Sequence, residues 1–308
     1  MARGPVVKLV VPSALAGERV DRAVAFVTGV SRQRATDLIA EGSVVVDGAV
    51  VTGRSAKLAG GELLEITDTE AVTGSTTGES GVVFGVAHED DHVIVIDKPP
   101  GLVVHPGAGR TSGTLVNGLV QRWPEIAAVG DPVRPGIVHR LDGGTSGLMA
   151  VARTQVAYDA LVAAMKARAV EREYAALGWG TVKADRGLVD AKLGRSKRDR
   201  TRMAVTADGR EARTQFTVEQ RFTEPVEATL LACLLETGRT HQIRVHLAAI
   251  GHPVVGDDRY GRARPGIECA RPFLHARRLS FAHPVTGERL SAAAPLPPDL
   301  EAVLAQLS

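Results

Sequence analysis

Cysteine is nearly absent: Cys233 and Cys269 are the only two in 308 residues. That excludes a disulfide framework and a cysteine-based zinc set, and it fits a reducing, cytoplasmic setting. Aromatic residues make up 4% of the chain, so the core must be assembled from small aliphatic side chains. Neither sign of charge dominates. Lysine plus arginine is 37 and aspartate plus glutamate is 35, a formal net charge of +2. This excludes a strongly basic tail protein but leaves RNA binding open, because there the placement of positive charge matters more than its sum. Long hydrophobic runs are missing too. No stretch approaches the roughly 18 apolar residues of a membrane helix, so no membrane association is expected. Residues 6–16 weakly imitate a signal peptide, but Lys8 and Pro12 interrupt them and the alternation in Val7-Lys8-Leu9-Val10 reads as a strand. Nothing in the sequence demands more than a monomer.

The length predicts about two domains. Val20, Ala23, Val24 and Val27 recur at helical spacing, and Ser31 stands as an N-cap before a second helix that Gly42 stops. Asp47-Gly48 between two β-branched runs predicts a hairpin. Arg32 and Arg34 stand near the second helix's N-terminus, where side chains and free N–H groups can both face phosphate. Two short helices, a hairpin and these arginines resemble the S4 RNA-binding module, assigned to 16–68; the alternative is a small α+β domain with solvated arginines. Residues 69–82, rich in Gly, Ser and Thr, predict a flexible linker. The remainder, 83–308, mixes strands and helices into an α+β domain on a mainly antiparallel sheet. A buried strand is predicted at Val93–Ile96, helices at 114–123 and 240–250, and strands at 147–152 and 172–179. A further helix is expected to bury the face carrying Val156, Leu161, Val162 and Met165, and strands 215–221 and 228–235 are expected to pair.

His139-Arg140-Leu141-Asp142-Gly143-Gly144-Thr145-Ser146-Gly147 sets reactive groups beside glycines just ahead of a buried strand. Ser146 lacks the frame of a nucleophile elbow. His139 has no companions at ligand spacing. His241 and His246, five apart on a predicted helix, point about 140° from each other, so no metal site is expected. Gly107–Gly113 lacks the lysine of a P-loop, and a plain turn is the simpler reading. Residues 190–213 carry eight basic against four acidic side chains, and so do residues 236–278. The first stretch has no apolar periodicity around Gly194–Arg202. It predicts a hairpin or loop on an RNA-facing surface, with Arg198 and Arg200 at its tip.

Taken with two distant segments, the Asp142 stretch resembles the signature of the RluA-type pseudouridine synthases. Arg172-Glu173-Tyr174-Ala175 is similar to that family's second motif, and Thr237-Gly238-Arg239-Thr240-His241-Gln242-Ile243-Arg244-Val245-His246 to its third. Ile96–Pro106, Gly251–Asp257 and Leu274–Ala276 match other segments of the family. With an S4-like module in front, the resemblance is to the branch that modifies large-subunit ribosomal RNA. Many relatives have Lys-Asp where this chain has Gly143-Gly144.

The resemblance implies an isomerase that turns uridine into pseudouridine with no cofactor or metal. It implies Asp142 as catalytic carboxylate, Arg244 as its bidentate ion-pair partner, and Tyr174 as the aromatic against the target base. Whether the carboxylate attacks the sugar, attacks the base, or deprotonates a glycal-like intermediate stays open. Arg140 would fill the gap left by the flipped uridine. Arg239, with Arg32, Arg34, Arg198 and Arg200, would contact RNA. The alternatives are the same chemistry on tRNA or another rRNA site, a non-catalytic ribosome assembly factor, or a hydrolase releasing free uracil.

Overall fold

The computed structural model describes residues 6–11, 15–28, 32–67, 76–106, 112–261 and 264–308. The chain forms two compact units, Met1–Thr77 with Asp131–Pro135, and Gly78–Gly130 with Gly136–Ser308.

In the first unit β1 (Val6–Val10), α1 (Val20–Thr28), α2 (Arg32–Ala40), β2 (Val44–Val46), β3 (Ala49–Val50) and β4 (Leu63–Thr67) follow in order. The strands make an antiparallel sheet, β1-β4-β2-β3. Val20, Ala23 and Val24 of α1 and Ala35, Leu38 and Ile39 of α2 bury with Val44, Leu64 and Ile66. The Asp47-Gly48 turn has positive φ at both residues, 46° and 81°, as a two-residue hairpin requires. Asp47 also accepts the Leu63 N–H at 2.7 Å, so one side chain fixes both the turn and the neighbouring strand. The expected N-cap Ser31 lies outside the described residues.

The second unit runs β5 (Gly85–Glu89), β6 (Val93–Lys98), α3 (Leu115–Arg122), β7 (Ser146–Ala152), α4 (Gln155–Lys166), β8 (Glu171–Trp179), β9 (Arg186–Asp190), β10 (Leu193–Arg195), β11 (Met203–Val205), β12 (Arg213–Phe222), β13 (Ala228–Leu235), α5 (Gln242–Ala249), β14 (Leu274–Ala282), β15 (Arg289–Ala293) and α6 (Pro298–Leu304). Eight strands form the path β5-β6-β7-β14-β8-β13-β12-β9, and β15 joins at β14. The pairing is antiparallel except between β7 and β14. Both faces are covered around β6. Val93 and Val95 pack with Leu148, Leu161 and Phe281, while Ile94 and Ile96 pack with Leu115, Leu119, Met149 and Phe273. A strand buried on both faces reads as a continuous apolar run rather than an alternation.

Two expectations change in detail. Helix α4 starts at the N-cap Thr154, whose hydroxyl accepts the Ala157 N–H at 3.3 Å, but it buries Ala157 and Leu161, with Ala164 and Met165 packed partly buried beside them and Val162 outside that cluster. Val156, expected on that face, is 65% exposed, because the sheet meets the helix one position further on. Of the segment 69–82 expected as a linker, 69–75 lies outside the described residues. Near its end, Glu79 donates its N–H to Asn117 and accepts the Gly113 N–H, which ties it to α3. Gly147 adopts φ +109° where β7 runs beside β14, and a Cβ there would collide with the Ala276 carbonyl. This glycine is needed for close approach of two backbones. Among the described residues no helix is long and apolar enough to cross a membrane.

Candidate active site

Asp142 sits in the loop that enters β7, and the loop is braced on both sides. Its own carbonyl accepts the Thr145 N–H at 3.0 Å. The next carbonyl, Gly143, accepts the Gly101 N–H at 2.8 Å and the Lys98 ammonium at 3.2 Å. Lys98 is fully buried at the end of β6 and also donates to Pro99 and Leu102, at 2.8 and 2.9 Å. Burial lowers its pKa to about 7, opposed by the nearby Asp142 charge. The stretch around Lys98-Pro99-Pro100-Gly101 therefore acts as a strap under the Asp142 loop. Arg271 completes it by donating to the Gly144 carbonyl at 3.1 Å. Glycine is not sterically required at either position after Asp142. A Cβ would lie 3.7 Å from Val103 at Gly143 and 3.4 Å from Pro272 at Gly144.

Arg244 projects from α5 towards Asp142, and here the geometry corrects the expectation. Its bidentate partner is Asp257, with Nε donating to Oδ2 at 2.6 Å and Nη2 to Oδ1 at 2.7 Å. Asp142 receives only the remaining nitrogen, Nη1, at 3.5 Å. Asp257 is itself fixed by the N–H groups of Arg259 and Tyr260, at 3.0 and 3.2 Å. The physical reason is burial: Arg244 is 8% and Asp257 3% exposed, so their charges must compensate each other at close range. Burial opposes the Arg244 charge, but the Asp257 hydrogen bonds and charge outweigh it and raise the guanidinium pKa. A carboxylate bonded twice to the arginine would be committed to structure. Asp142, left at the edge of the pair, keeps lone pairs free to react.

Helix α5 is placed by a closed network of polar side chains. Gln242 accepts from the Thr237 hydroxyl and the Arg239 N–H, and donates to the Arg213 carbonyl and the Thr214 hydroxyl. Thr214 in turn bonds His246 Nδ1 at 2.9 Å, and His246 Nε2 donates to the Ala191 carbonyl. Each side-chain donor of Thr237, Gln242, Thr214 and His246 finds an acceptor, which fixes the start of the helix and the Arg244 direction. His246 is thus used up in structure. His241, just before the helix, has a left-handed backbone with φ 58°. Its Nδ1 meets the Tyr260 hydroxyl at 2.7 Å, and that hydroxyl also accepts the Met203 N–H. With Tyr260 donating, the His241 proton sits on Nε2, 3.8 Å from Asp142 Oδ1. Burial lowers the His241 pKa, opposed by Asp142.

Tyr174 and Arg172 come from alternate positions of β8 and line the same cavity as Asp142, Arg140 and His241. Tyr174 is 5% exposed, and burial raises its hydroxyl pKa to about 12. Arg172 is buried, donates Nη2 to the Leu235 carbonyl at 3.3 Å, and leaves Nε without a partner. Gly238 makes room for it, because a Cβ there would lie 2.7 Å from Arg172 Nη1. At the rim Arg140 Nη1 donates to His105 Nε2 at 3.0 Å, and His105 Nδ1 donates to the Pro106 carbonyl. Arg239 reaches the same rim and donates Nε to the Glu211 carbonyl.

Arg198 and Arg200 do not line this cavity. They lie exposed between β10 and β11, which form the expected hairpin. Arg34 belongs to the first unit and pairs with Glu41 at 2.9 Å; Arg32 begins α2, and its side chain lies outside the described residues. His139 is half-buried and accepts the Ala150 N–H at Nε2. Burial, with the neighbouring Arg172, pushes its pKa down to about 3. Ser146 is buried between His275 and Arg271. Among the described residues no group of three His, Cys, Asp or Glu side chains has the geometry to hold a metal. Asp257, Lys98 and His241 stand within the motif segments, but nothing in the sequence states their contacts; Tyr260 carried no signal at all.

The family model described as RNA pseudouridylate synthase matches residues 92–249, which include Asp142, Tyr174 and Arg244. A ribosomal large subunit pseudouridine synthase D of Xanthomonas campestris pv. campestris is 44% identical over 97% of this chain and 91% of its own length. One of the same name from Nitrosomonas europaea is 43% identical over 97% of this chain and 87% of its own. An uncharacterized RNA pseudouridine synthase, YlyB, of Bacillus subtilis is 40% identical over 94% of each chain. Among solved structures, human RNA pseudouridylate synthase domain containing 1 superposes with a TM-score of 0.59 at 27% identity. It covers 75% of this chain and 90% of that one.

Proposed function

We propose, on the premise that this chain belongs to the RNA pseudouridylate synthase family, that it modifies specific uridines of large-subunit ribosomal RNA with Asp142 as the catalytic carboxylate. The chain is an isomerase that converts uridine to pseudouridine. In that reaction the N1–C1′ bond breaks, the uracil turns, and C5 bonds to C1′. The proton on C5 leaves and N1 gains one, so nothing is added or lost. The substrate assignment draws on the relatives named for the ribosomal large subunit.

One observation carries the catalytic assignment. Asp142 lies at the pocket edge of an arginine already neutralised by Asp257, on a loop braced from Lys98 and Arg271. Such a carboxylate is oriented yet unspent, fit to attack carbon or to take a proton. Tyr174, protonated through the neutral range, offers its ring to the uracil and its hydroxyl as a proton donor. Arg140 stands at the rim, where a planar guanidinium can stack into the vacancy left by the flipped uridine. The first unit serves as an S4-like RNA-binding module, contacting RNA through Arg32 and Arg34, with Arg198, Arg200 and Arg239 contributing from the second. The protein works in the cytoplasm as a monomer.

The test is tritium release from RNA labelled at uracil C5, with large-subunit rRNA, assembled large subunits and tRNA supplied separately. Release from rRNA or its particle is expected, and Asp142→Asn should abolish it while retaining the fold. Release from tRNA alone would overturn the substrate, and full activity in Asp142→Asn would overturn the catalytic assignment.

A further inference from the structure

Next to the uridine cavity lies a second concavity, and Arg140, Arg172 and Arg239 line both. Its far wall is the C-terminal end of α4 with Lys166 and Arg168, and Arg210 faces them from the turn ahead of β12. Six basic side chains thus line one groove, against a single carboxylate, Glu236. That carboxylate is largely taken, lying 2.9 Å from Arg213 and 3.7 Å from Arg168. Glu211 reaches Arg168 only at 3.4 Å from an exposed position. Lys166 and Arg210 are exposed and make no ion pair among the described residues.

Cations at the end of a helix have a ready structural explanation in the helix dipole, which accounts for Lys166 and Arg168. It does not account for Arg210 and Arg239, which arrive from two other segments. Arg239 is crowded by them: burial and the like charges of Arg210 and Arg168 lower its pKa. Arg172, buried at the junction of the two cavities, keeps an unpartnered Nε. Convergent cations with too few counter-charges cost free energy in the free protein and are relieved when an anion binds.

We propose that this groove holds the phosphodiester backbone of the RNA strand beside the target uridine, with Lys166, Arg168 and Arg210 as phosphate contacts and Arg239 linking them to the catalytic cavity. This rests on the RNA-modifying function stated above. The groove's continuity with the uridine cavity favours the substrate strand itself as the source of the phosphates. Positioning of this kind sets register without reading sequence.

The experiment compares wild type, the three single alanine variants and Lys166→Ala/Arg168→Ala/Arg210→Ala on an rRNA fragment that wild type converts. Filter binding between 50 and 200 mM KCl measures the salt dependence, and tritium release measures KM. Each phosphate contact removed lowers the log–log salt slope by about 0.7–0.9, so three lost contacts make the triple variant's deficit about 20- to 40-fold larger at 50 than at 200 mM salt. KM is expected to rise in parallel. Arg210→Lys, which keeps the charge, should hold the wild-type slope, and Arg289→Ala, on a surface pair with Glu171, should behave as wild type. A triple variant that converts the fragment with wild-type slope and KM overturns the groove assignment alone. Weakened binding with an unchanged slope also overturns it, since that signals a structural effect. If wild type neither binds nor converts any rRNA, the substrate reading fails and the groove assignment falls with it.

Discussion

Replacing Asp257 by asparagine removes the clamp behind Arg244, the arginine beside Asp142. The Asp257 carboxylate is 0% exposed and accepts from Arg244 Nε and Nη2 and from the N–H groups of Arg259 and Tyr260. An asparagine has one acceptor oxygen and would turn an NH2 donor on donors, so Arg244 loses both a hydrogen bond and its buried counter-charge. Leaving one member of a buried pair uncompensated costs about 3–5 kcal/mol. At about 2–4 °C per kcal/mol for a unit of this size, Tm should fall by about 6–20 °C. Asp142 shares the same guanidinium, but it is 18% exposed and 3.5 Å away. Its loss should resemble that of a loose pair, about 1 kcal/mol or less. The two carboxylates therefore separate. Asp142→Asn abolishes turnover with Tm almost unmoved. Asp257→Asn lowers Tm strongly and, by releasing the guanidinium that orients Asp142, lowers kcat by about 100-fold if the displacement reaches about 1 Å. Differential scanning calorimetry and tritium release, assayed where both variants remain folded, measure the two effects. Equal stability losses in the two variants, or wild-type Tm and kcat in Asp257→Asn, would refute the reasoning.

Tyr174→Phe should keep the fold and lower kcat by about 100-fold or more if its hydroxyl transfers a proton. Because burial holds that hydroxyl near pKa 12, the wild-type pH–rate profile should show no tyrosine ionisation below about pH 11. A Phe variant with wild-type kcat would reduce Tyr174 to packing. Acid should destabilise the protein through His139, whose pKa falls from about 6.5 unfolded to about 3 in the fold. The unfolded chain then binds the extra proton, so the contribution is complete above pH 6.5 and is lost as pH falls towards 3, at up to about 1.4 kcal/mol per pH unit. His246 and His275 shift in the same direction. Urea midpoints between pH 7 and 4 measure this, and a profile that stays flat or rises on acidification would contradict it. Gly147→Ala should prevent stable folding, whereas Gly143→Ala, where a Cβ meets only an ordinary van der Waals contact with Val103 and φ is not positive, should be tolerated; thermal melts that rank them the other way would refute the close approach of β7 and β14.

Local structure was legible because its causes are local. The apolar run Val93–Ile96 and the Asp47-Gly48 turn act within a few residues, and each became the element expected. The α4 face shows the limit of this reading. Val156 and Ala157 are equally plausible by spacing, and only the position of β7 decided that Ala157 is buried. The candidate site was legible in a different way. Asp142, Tyr174 and Arg244 were joined by the likeness of three motifs to a family, not by any pattern of spacing. The structure then lined one cavity with Asp142 and Tyr174 and brought Arg244 to Asp142 from 102 residues further along the chain.

By itself the sequence determined which segments become strands and helices and, through its motifs, which chemistry the chain carries. The tertiary structure alone decided how Arg244 divides its nitrogens between Asp257 and Asp142. It also decided that Lys98 serves as a strap, that His246 holds α5 while His241 faces the carboxylate, and that Lys166, Arg168 and Arg210 share a groove. The reason is physical. Periodicity and turn chemistry act on neighbours along the chain, while a buried charge is satisfied by whichever counter-charge packing brings within hydrogen-bonding distance.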